Sequence, residues 1–448
     1  MEKKFTSAKT KSLPSRVPRY TSYPPANHFK GSITNCQTQF WLQTVPKKSE
    51  ISLYIHIPFC RSLCWFCACR TQGLAKRSNA LGEYLKILKQ EIDMIRKTLP
   101  MDVTVNSLHL GGGTPTILSE DQITDLLSHI KNRFQFTKKF QFSVEIDPTE
   151  IDQPRMNALK KFKINRASVG VQDFNPTVQQ SIGRTQTFEQ TKHCFDMLRK
   201  AKVASINVDF LYGLPTQKKD GFVKTIRSIL DLNPDRIAMY GYAHVPWIAR
   251  RQIMINHQDL PKENDRKALM EAGRDIIMTH GYLPIGIDHF ATPKDPLALA
   301  ENAKLVCRNF QGYNDHHSDN IIGVGASAIS HFTHGYAQNA VSTREYMERI
   351  SKNEFATTRG HAFTLDDKIC GHVVEQLMCY FEVSLQDLER RFGKAAADTC
   401  QKISADPNLQ LVGDSTYRIA AEPHLNARRV ASCFDEYKTN FKAHSMAI

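Results

Sequence analysis

The 448-residue chain is longer than one ordinary domain, and 41% of it is apolar, so a large α/β domain with a smaller companion is expected and a disordered or fibrous chain is excluded. Lys and Arg number 59 against 45 Asp and Glu, a net charge of +14, which favours an anionic partner. The basic residues are dispersed in small groups such as Lys160-Lys161 and Lys218-Lys219, with no dense arm or aromatic-basic recognition motif, so an anionic small substrate is expected and no nucleic acid.

No apolar run reaches the roughly 18 residues of a membrane helix. The opening MEKKFTSAKTKSLPSR lacks the apolar middle of a signal peptide, so the expectation is a soluble, cytoplasmic monomer with no membrane partner. Its eleven cysteines then sit in a reducing compartment. Seven of them, Cys36, Cys194, Cys307, Cys370, Cys379, Cys400 and Cys433, are scattered and read as small buried hydrophobes.

Residues 1–48 read as a polar tail followed by an arm. Pro18-Arg19-Tyr20-Thr21-Ser22-Tyr23-Pro24-Pro25 is extended because its prolines forbid a regular helix. The apolar stretch from Ile51 to Pro58 is a buried strand and leads into a cysteine-rich loop. Leu81, Tyr84, Leu85, Leu88, Ile92, Ile95 and Leu99 then mark an amphipathic helix, capped by Ser78 or Asn79 and stopped by Pro100. Strands at 103–110, 140–146, 166–171, 205–211 and 236–240 alternate with helices from Ser119, at 154–162, at 187–201 and near 220–232. Such alternation, with right-handed crossovers, implies a parallel sheet closed partly or fully into a (β/α) barrel over residues 49–363. From about Thr364 the alternation ends. Helices at 366–380 and 384–392 and a hairpin at 409–417 suggest a helical, winged-helix-like domain over 364–448. Without a basic recognition helix it reads as a lid over the barrel mouth.

Chemistry on a barrel collects where its strands end. Those ends carry the cysteine loop, Gly111-Gly112-Gly113-Thr114-Pro115, Glu145 and Asp147, Gln172-Asp173, Asp209, and Tyr242-Ala243-His244. In Cys60-Arg61-Ser62-Leu63-Cys64-Trp65-Phe66-Cys67-Ala68-Cys69, the C-x-x-x-C-x-x-C spacing lets Cys60, Cys64 and Cys67 each reach a different iron of one cuboidal 4Fe-4S cluster. Trp65 and Phe66 would shield it, and one iron stays open. Ordinary buried cysteines are not this dense. A structural zinc site usually draws two C-x-x-C-like pairs from separate turns, and no second pair follows at a suitable distance.

This loop after a first strand resembles the radical S-adenosylmethionine (SAM) enzymes. Tyr54-Ile55-His56-Ile57-Pro58-Phe59-Cys60 through Cys69, with its fourth cysteine, is similar to the oxygen-independent coproporphyrinogen III oxidase family. The likeness recurs over roughly residues 17–440, in the PRYTSYP arm, in GGGTPT, in Gly286-Ile287-Asp288-His289-Phe290-Ala291 and in Arg308-Asn309-Phe310-Gln311-Gly312-Tyr313. It implies a 4Fe-4S cluster on Cys60, Cys64 and Cys67 and two SAM molecules. The implied cofactor-binding residues are Tyr54, Phe66, Cys69, Gly112, Gly113, Thr114, Glu145 and Ile329, with Gln172, Arg184, Asp209 and Ala243 for the second SAM.

Taken without the resemblance, each of these residues has a simpler reading. The glycines can be a tight turn, Glu145 a solvated rim carboxylate, Gln172 a polar cap, Arg184 a surface cation, Asp209 a strand-end carboxylate and Ile329 a core residue. Asp288 and His289 can be a proton relay or a structural pair, the latter favoured. The implied reaction is oxidative decarboxylation of two propionates of coproporphyrinogen III, a porphyrinogen substrate, with an electron donor and acceptor that the sequence does not identify. Ala68 and Arg70 depart from the usual Gly and Asn, Asn314-Asp315 replace the usual threonines, and the C-terminal domain lacks a glycine-rich turn and much of a cysteine-containing final motif. Paralogues on this scaffold leave a haem-binding chaperone or a haem-modifying radical methyltransferase as alternatives. The chaperones' H-N-x-x-Y-W signature is absent.

Overall fold

In the computed structural model, which describes residues 13–14, 16–74 and 79–437, strand and helix alternate six times. The strands are β1 (Glu50–Ile57), β2 (Thr104–Gly112), β3 (Gln135–Ile146), β4 (Arg166–Gln172), β5 (Ser205–Tyr212) and β6 (Arg236–Gly241). All pair in parallel with their sequence neighbours. The helices between them are α1 (Ala80–Thr98), α2 (Glu120–Arg133), α3 (Gln153–Lys161), α4 (Phe188–Lys200) and α5 (Lys219–Asp231), and α6 (Glu263–Thr279) follows β6.

Each helix buries one apolar stripe on the sheet. For α1 the stripe is Leu81, Tyr84, Leu85, Leu88, Ile92 and Ile95, the spacing that puts side chains on one helical face. Asn79 is its N-cap, while Ser78 lies outside the described residues. Ser119 and Thr187 form capping boxes with Gln122 and Gln190, which fix where α2 and α4 begin.

The sheet does not close. Short strands β7 (Leu283–Ile285), β8 (His289–Ala291), β9 (Ile321–Val324), β10 (Ile329–Phe332), β11 (Gly335–Asn339) and β12 (Thr357–Ala362) extend it. The order is β12-β11-β10-β9-β1-β2-β3-β4-β5-β6-β8-β7. β9 is parallel to β1 and the remaining added pairs are antiparallel. The architecture is therefore a partial (β/α) barrel whose arc begins near the cysteine loop, after β1, and has β6 at its far side.

A second apolar cluster centres on α7 (Leu365–Tyr380), with Ile369, Val373 and Leu377 buried against Leu388, Ile403 and Val430. Helices α8 (Leu385–Phe392), α9 (Ala397–Ala405) and α10 (Pro423–Ala431) and a three-stranded sheet complete this winged-helix-like unit. Tyr20 and Tyr23 of the arm pack into it, whereas Trp41 and Leu42, on a helix at Asn35–Gln43, pack into the barrel core.

Of the scattered cysteines, Cys194, Cys307, Cys370, Cys379 and Cys400 are buried and Cys433 is half-buried. Cys36 is exposed, because it lies on the outer side of its short helix. No helix among the described residues is long and apolar enough to cross a membrane.

Candidate active site at the barrel mouth

The cysteine loop leaves β1 at the mouth and is stitched at its base. Gln72 N–H donates to Pro58 O at 2.8 Å and Leu74 N–H to Cys60 O at 3.1 Å. Its tip is tied across the mouth. Trp65 N–H donates to Ile182 O at 2.9 Å, Gln252 Nε2 donates to Phe66 O at 2.8 Å, and Arg251 Nη1 donates to Thr71 Oγ1 at 2.7 Å. A Cβ on Gly183, whose φ is +65°, would stand 2.8 Å from the Trp65 ring, so the ring needs a glycine beneath it.

Cys60 and Cys64 are buried, Cys67 is half-buried and Cys69 is exposed. Thr114 Oγ1 donates to Cys60 Sγ at 3.5 Å, and Arg184 Nη1 donates to Cys64 Sγ at 3.7 Å. Burial pushes both thiols up, against the pull of Thr114 on Cys60 and of Arg184 on Cys64. Cys67 is brought below the ordinary thiol value, first by the hydrogen bond from the Cys69 thiol and also by the Cys69 N–H, which lies 3.4 Å from its sulfur. Cys60, Cys64 and Cys67 are three free cysteines on one short loop. That donor set fits a cluster, in which each thiolate serves its own iron.

The glycine run after β2 lies directly on this loop. A Cβ on Gly113 would come within 2.7 Å of Phe59 O and 2.9 Å of Cys60 Sγ. Gly112 N–H donates to Glu145 Oε2 at 3.0 Å, and His109 Nε2 lies 3.3 Å from Glu145 Oε1. The surrounding protein pushes the Glu145 carboxyl up, but His109 and the Gly112 N–H outweigh this and hold it below the ordinary carboxylate value. Glu145 keeps 41% of its side-chain surface, so it is a rim carboxylate that is also fixed against the glycine turn. Tyr54 stacks on His109 with ring centres 5.7 Å apart, and its hydroxyl lies 2.9 Å from His56 Nδ1. Ile329, which opens β10, is half-buried rather than part of the core.

Arg184 is not a surface cation. Its side chain is 12% exposed, and Nη1 lies 3.1 Å from Asp147 Oδ2. Nη2 donates to Gly170 O at 3.0 Å and to Gln186 Oε1 at 2.7 Å. Asp209 accepts from Ser168 Oγ at 2.5 Å and from Asn207 Nδ2 at 2.8 Å, and burial raises its carboxyl despite both. Gln172 has a left-handed φ of +65° at the end of β4. Ala243 O accepts from Gln252 Nε2 at 3.0 Å, the same amide that holds Phe66. On the far side of the mouth, His289 Nδ1 lies 2.7 Å from Asp288 Oδ1 and Nε2 lies 3.3 Å from Tyr240 OH.

Sequence reasoning missed His56 and His109, although both alternate with named residues, Tyr54 and Gly111, on one strand face. It also missed that Arg19, Arg266, Arg308 and Arg428 line one pocket, for which no local signal exists. Asp315, flagged as a departure, lies away from the mouth. It pairs with Arg166 and stands 3.8 Å from Arg236, the residues that begin β4 and β6.

A family model of the Radical SAM superfamily matches residues 54–229. The chain is 44% identical to the oxygen-independent coproporphyrinogen III oxidase of Paracoccus denitrificans over 97% of each chain. It is 42% identical to the anaerobic coproporphyrinogen III oxidase 1 of Cereibacter sphaeroides over 96% of each. Among solved structures, the coproporphyrinogen III oxidase of Escherichia coli, a radical SAM enzyme, superposes with a TM-score of 0.88 at 34% identity, covering 94% of this chain and 97% of that one.

Proposed function

The chain belongs to the oxygen-independent coproporphyrinogen III oxidase family of radical SAM enzymes, and from that premise we propose how its own residues divide the work. The reaction is the anaerobic oxidative decarboxylation of two propionate side chains of coproporphyrinogen III to vinyl groups, giving protoporphyrinogen IX. When bound, the 4Fe-4S cluster and SAM supply the 5'-deoxyadenosyl radical that starts it.

Cys60, Cys64 and Cys67 hold the cluster. Arg184, against Cys64 and Asp147, balances the charge that three thiolates bring. The Gly112-Gly113-Thr114 turn and Glu145 receive the amino end of SAM, because a carboxylate held ionised at a backbone turn can accept from an ammonium. Tyr54, Phe66 and Ile329 give the cofactor apolar walls that exclude water.

A second SAM, held by Gln172, Arg184, Asp209 and the Ala243 backbone with Cys69 at its edge, is part of this reading. So are action in the cytoplasm as a monomer and an external electron donor and acceptor. The observation that carries the reading is the seating of the glycine turn on Cys60 with Glu145 fixed at its N–H. The test is an anaerobic incubation of cluster-reconstituted protein with coproporphyrinogen III, SAM and a reductant. Loss of two carboxyl groups, seen by product mass, is expected. Intact substrate alongside normal SAM cleavage overturns the substrate assignment.

A further inference from the structure

We infer that the arginine pocket on the β6 side of the mouth is a carboxylate-binding subsite, built to hold a propionate of the porphyrinogen that stays intact during the reaction. This rests on the substrate class given above. The pocket is a cavity of ≈ 40 Å³, the space of a carboxylate group and far too small for a macrocycle. The charged residues that line it are Arg19, Arg266, Arg308, Arg428 and Asp288: four cations against one anion. Two buried donors of Arg308, Nε and Nη1, have no hydrogen-bond acceptor, in a side chain that is 5% exposed. Asp288 Oδ1, 3.8 Å from Nη1, is beyond hydrogen-bond reach. A buried guanidinium with orphaned N–H groups is costly, and a carboxylate in the pocket supplies the negative charge that one aspartate among four arginines does not.

Burial pulls the Arg308 guanidinium down, but Tyr313, Asp288 and Tyr240 outweigh it and hold it above the ordinary value. Burial and then Arg19 bring the Arg428 guanidinium down to about 9, with Arg308 adding to the repulsion and Tyr212 and Asp288 opposing it. The walls come from three parts of the chain: the arm supplies Arg19, the barrel supplies Arg266 and Arg308, and the C-terminal unit supplies Arg428. Arg19 is held in place by its Nη2, which donates to Gly241 O at 2.6 Å, and Arg266 by its Nη2, which donates to Tyr242 O at 3.0 Å. The strands that carry Glu145 (β3), Asp209 (β5) and Tyr240 (β6) follow one another in sheet order from β2, whose end bears the glycine turn, to the β6 side where this pocket lies, so an anion seated here anchors one edge of the substrate while its opposite edge lies toward the cysteine loop.

The test uses cluster-loaded full chain and two fluorescent probes, coproporphyrin III and its tetramethyl ester, whose dissociation constants are read in wild type, Arg19→Gln, Arg308→Gln and Arg19→Lys. Loss of one such charge-assisted contact is expected to weaken coproporphyrin III by about ten- to a hundredfold in the Gln variants. Arg19→Lys recovers part of the loss, and ester binding, iron content and SAM cleavage stay unchanged. Equal dissociation constants for the acid in wild type and both Gln variants overturn the subsite, and so does an equal weakening of acid and ester, which marks a structural role. Wild type that binds the acid through these arginines but does not decarboxylate coproporphyrinogen leaves the subsite standing and removes the reaction assignment. Wild type that decarboxylates while the Gln variants bind normally does the reverse.

Discussion

Asp315→Asn should destabilise the protein by about 3 kcal/mol, near the lower end of what stranding a buried charge costs. Asp315 accepts from Arg166 Nη1 at 2.8 Å and also from Arg166 Nη2, and Arg236 Nη2 stands 3.8 Å away. The three side chains are 5%, 14% and 10% exposed. Asn preserves volume but removes the counter-charge. The cost falls at the lower end because Arg236 keeps Asp295, 2.7 Å from its Nε.

Burial raises the Asp315 carboxyl, yet His316, Arg166 and Arg236 together hold it far below the ordinary range. A carboxyl depressed on folding stabilises fully above its unfolded value near ~3.9 and loses that contribution as pH falls. The gap between wild type and variant is thus full at about pH 6 and about 1 kcal/mol narrower at about pH 3. Urea unfolding of apoprotein, followed by far-ultraviolet circular dichroism at both pH values, measures it. A loss below about 1 kcal/mol at the higher pH, or a gap that does not change with pH, refutes the argument.

Ser at Cys60, Cys64 or Cys67 should remove most iron and all SAM cleavage, whereas Cys69→Ser should keep iron and the reduced-cluster resonance while impairing product formation; iron and sulfide per chain decide between these roles. Glu145→Gln keeps an acceptor for the Gly112 N–H but loses the charge, so SAM affinity should fall about tenfold at unchanged iron content, as equilibrium dialysis would show. Arg184→Met removes the cation beside Cys64 and leaves Asp147 there, which shifts the thiol further up; the pH needed for half-maximal cluster assembly should therefore rise, and an unmoved assembly profile counts against this role.

The barrel units are legible in the sequence because alternate residues of strands such as β4 and β5 and one stripe of helices such as α1 are buried, and the two periodicities differ. β3 extends back to Gln135, ahead of the expected start at Phe140, because Lys138 and Lys139 interrupt the apolar pattern on its exposed half. Helix α9 went unseen because only Thr399, Cys400 and Ile403 are buried along it, too few for a periodic signal. At the site, strand-end residues were readable since alternation points them into the mouth. Arg184 looked like a surface cation because Asp147 and Cys64, its partners, come from other barrel units. The arginine pocket is invisible for the same reason: residues 19, 266, 308 and 428 meet only after the fold is complete.

The arm ties early and late parts of the chain together. Tyr20 OH donates to Asp435 across 415 positions at 2.9 Å, Arg428 Nη2 donates to Val17 O at 3.0 Å, and Glu436 N–H donates to Tyr23 OH at 3.0 Å. During synthesis the barrel strands can assemble as they emerge, since each pairs with its neighbour in sequence. Apart from Arg19 on Gly241 O, these ties of the arm wait until translation has passed residues 428 to 436. A ribosome that stops short of that point releases a chain with its cysteine loop made and its arginine pocket missing a wall, so the cluster-binding half can mature before the half that receives the substrate.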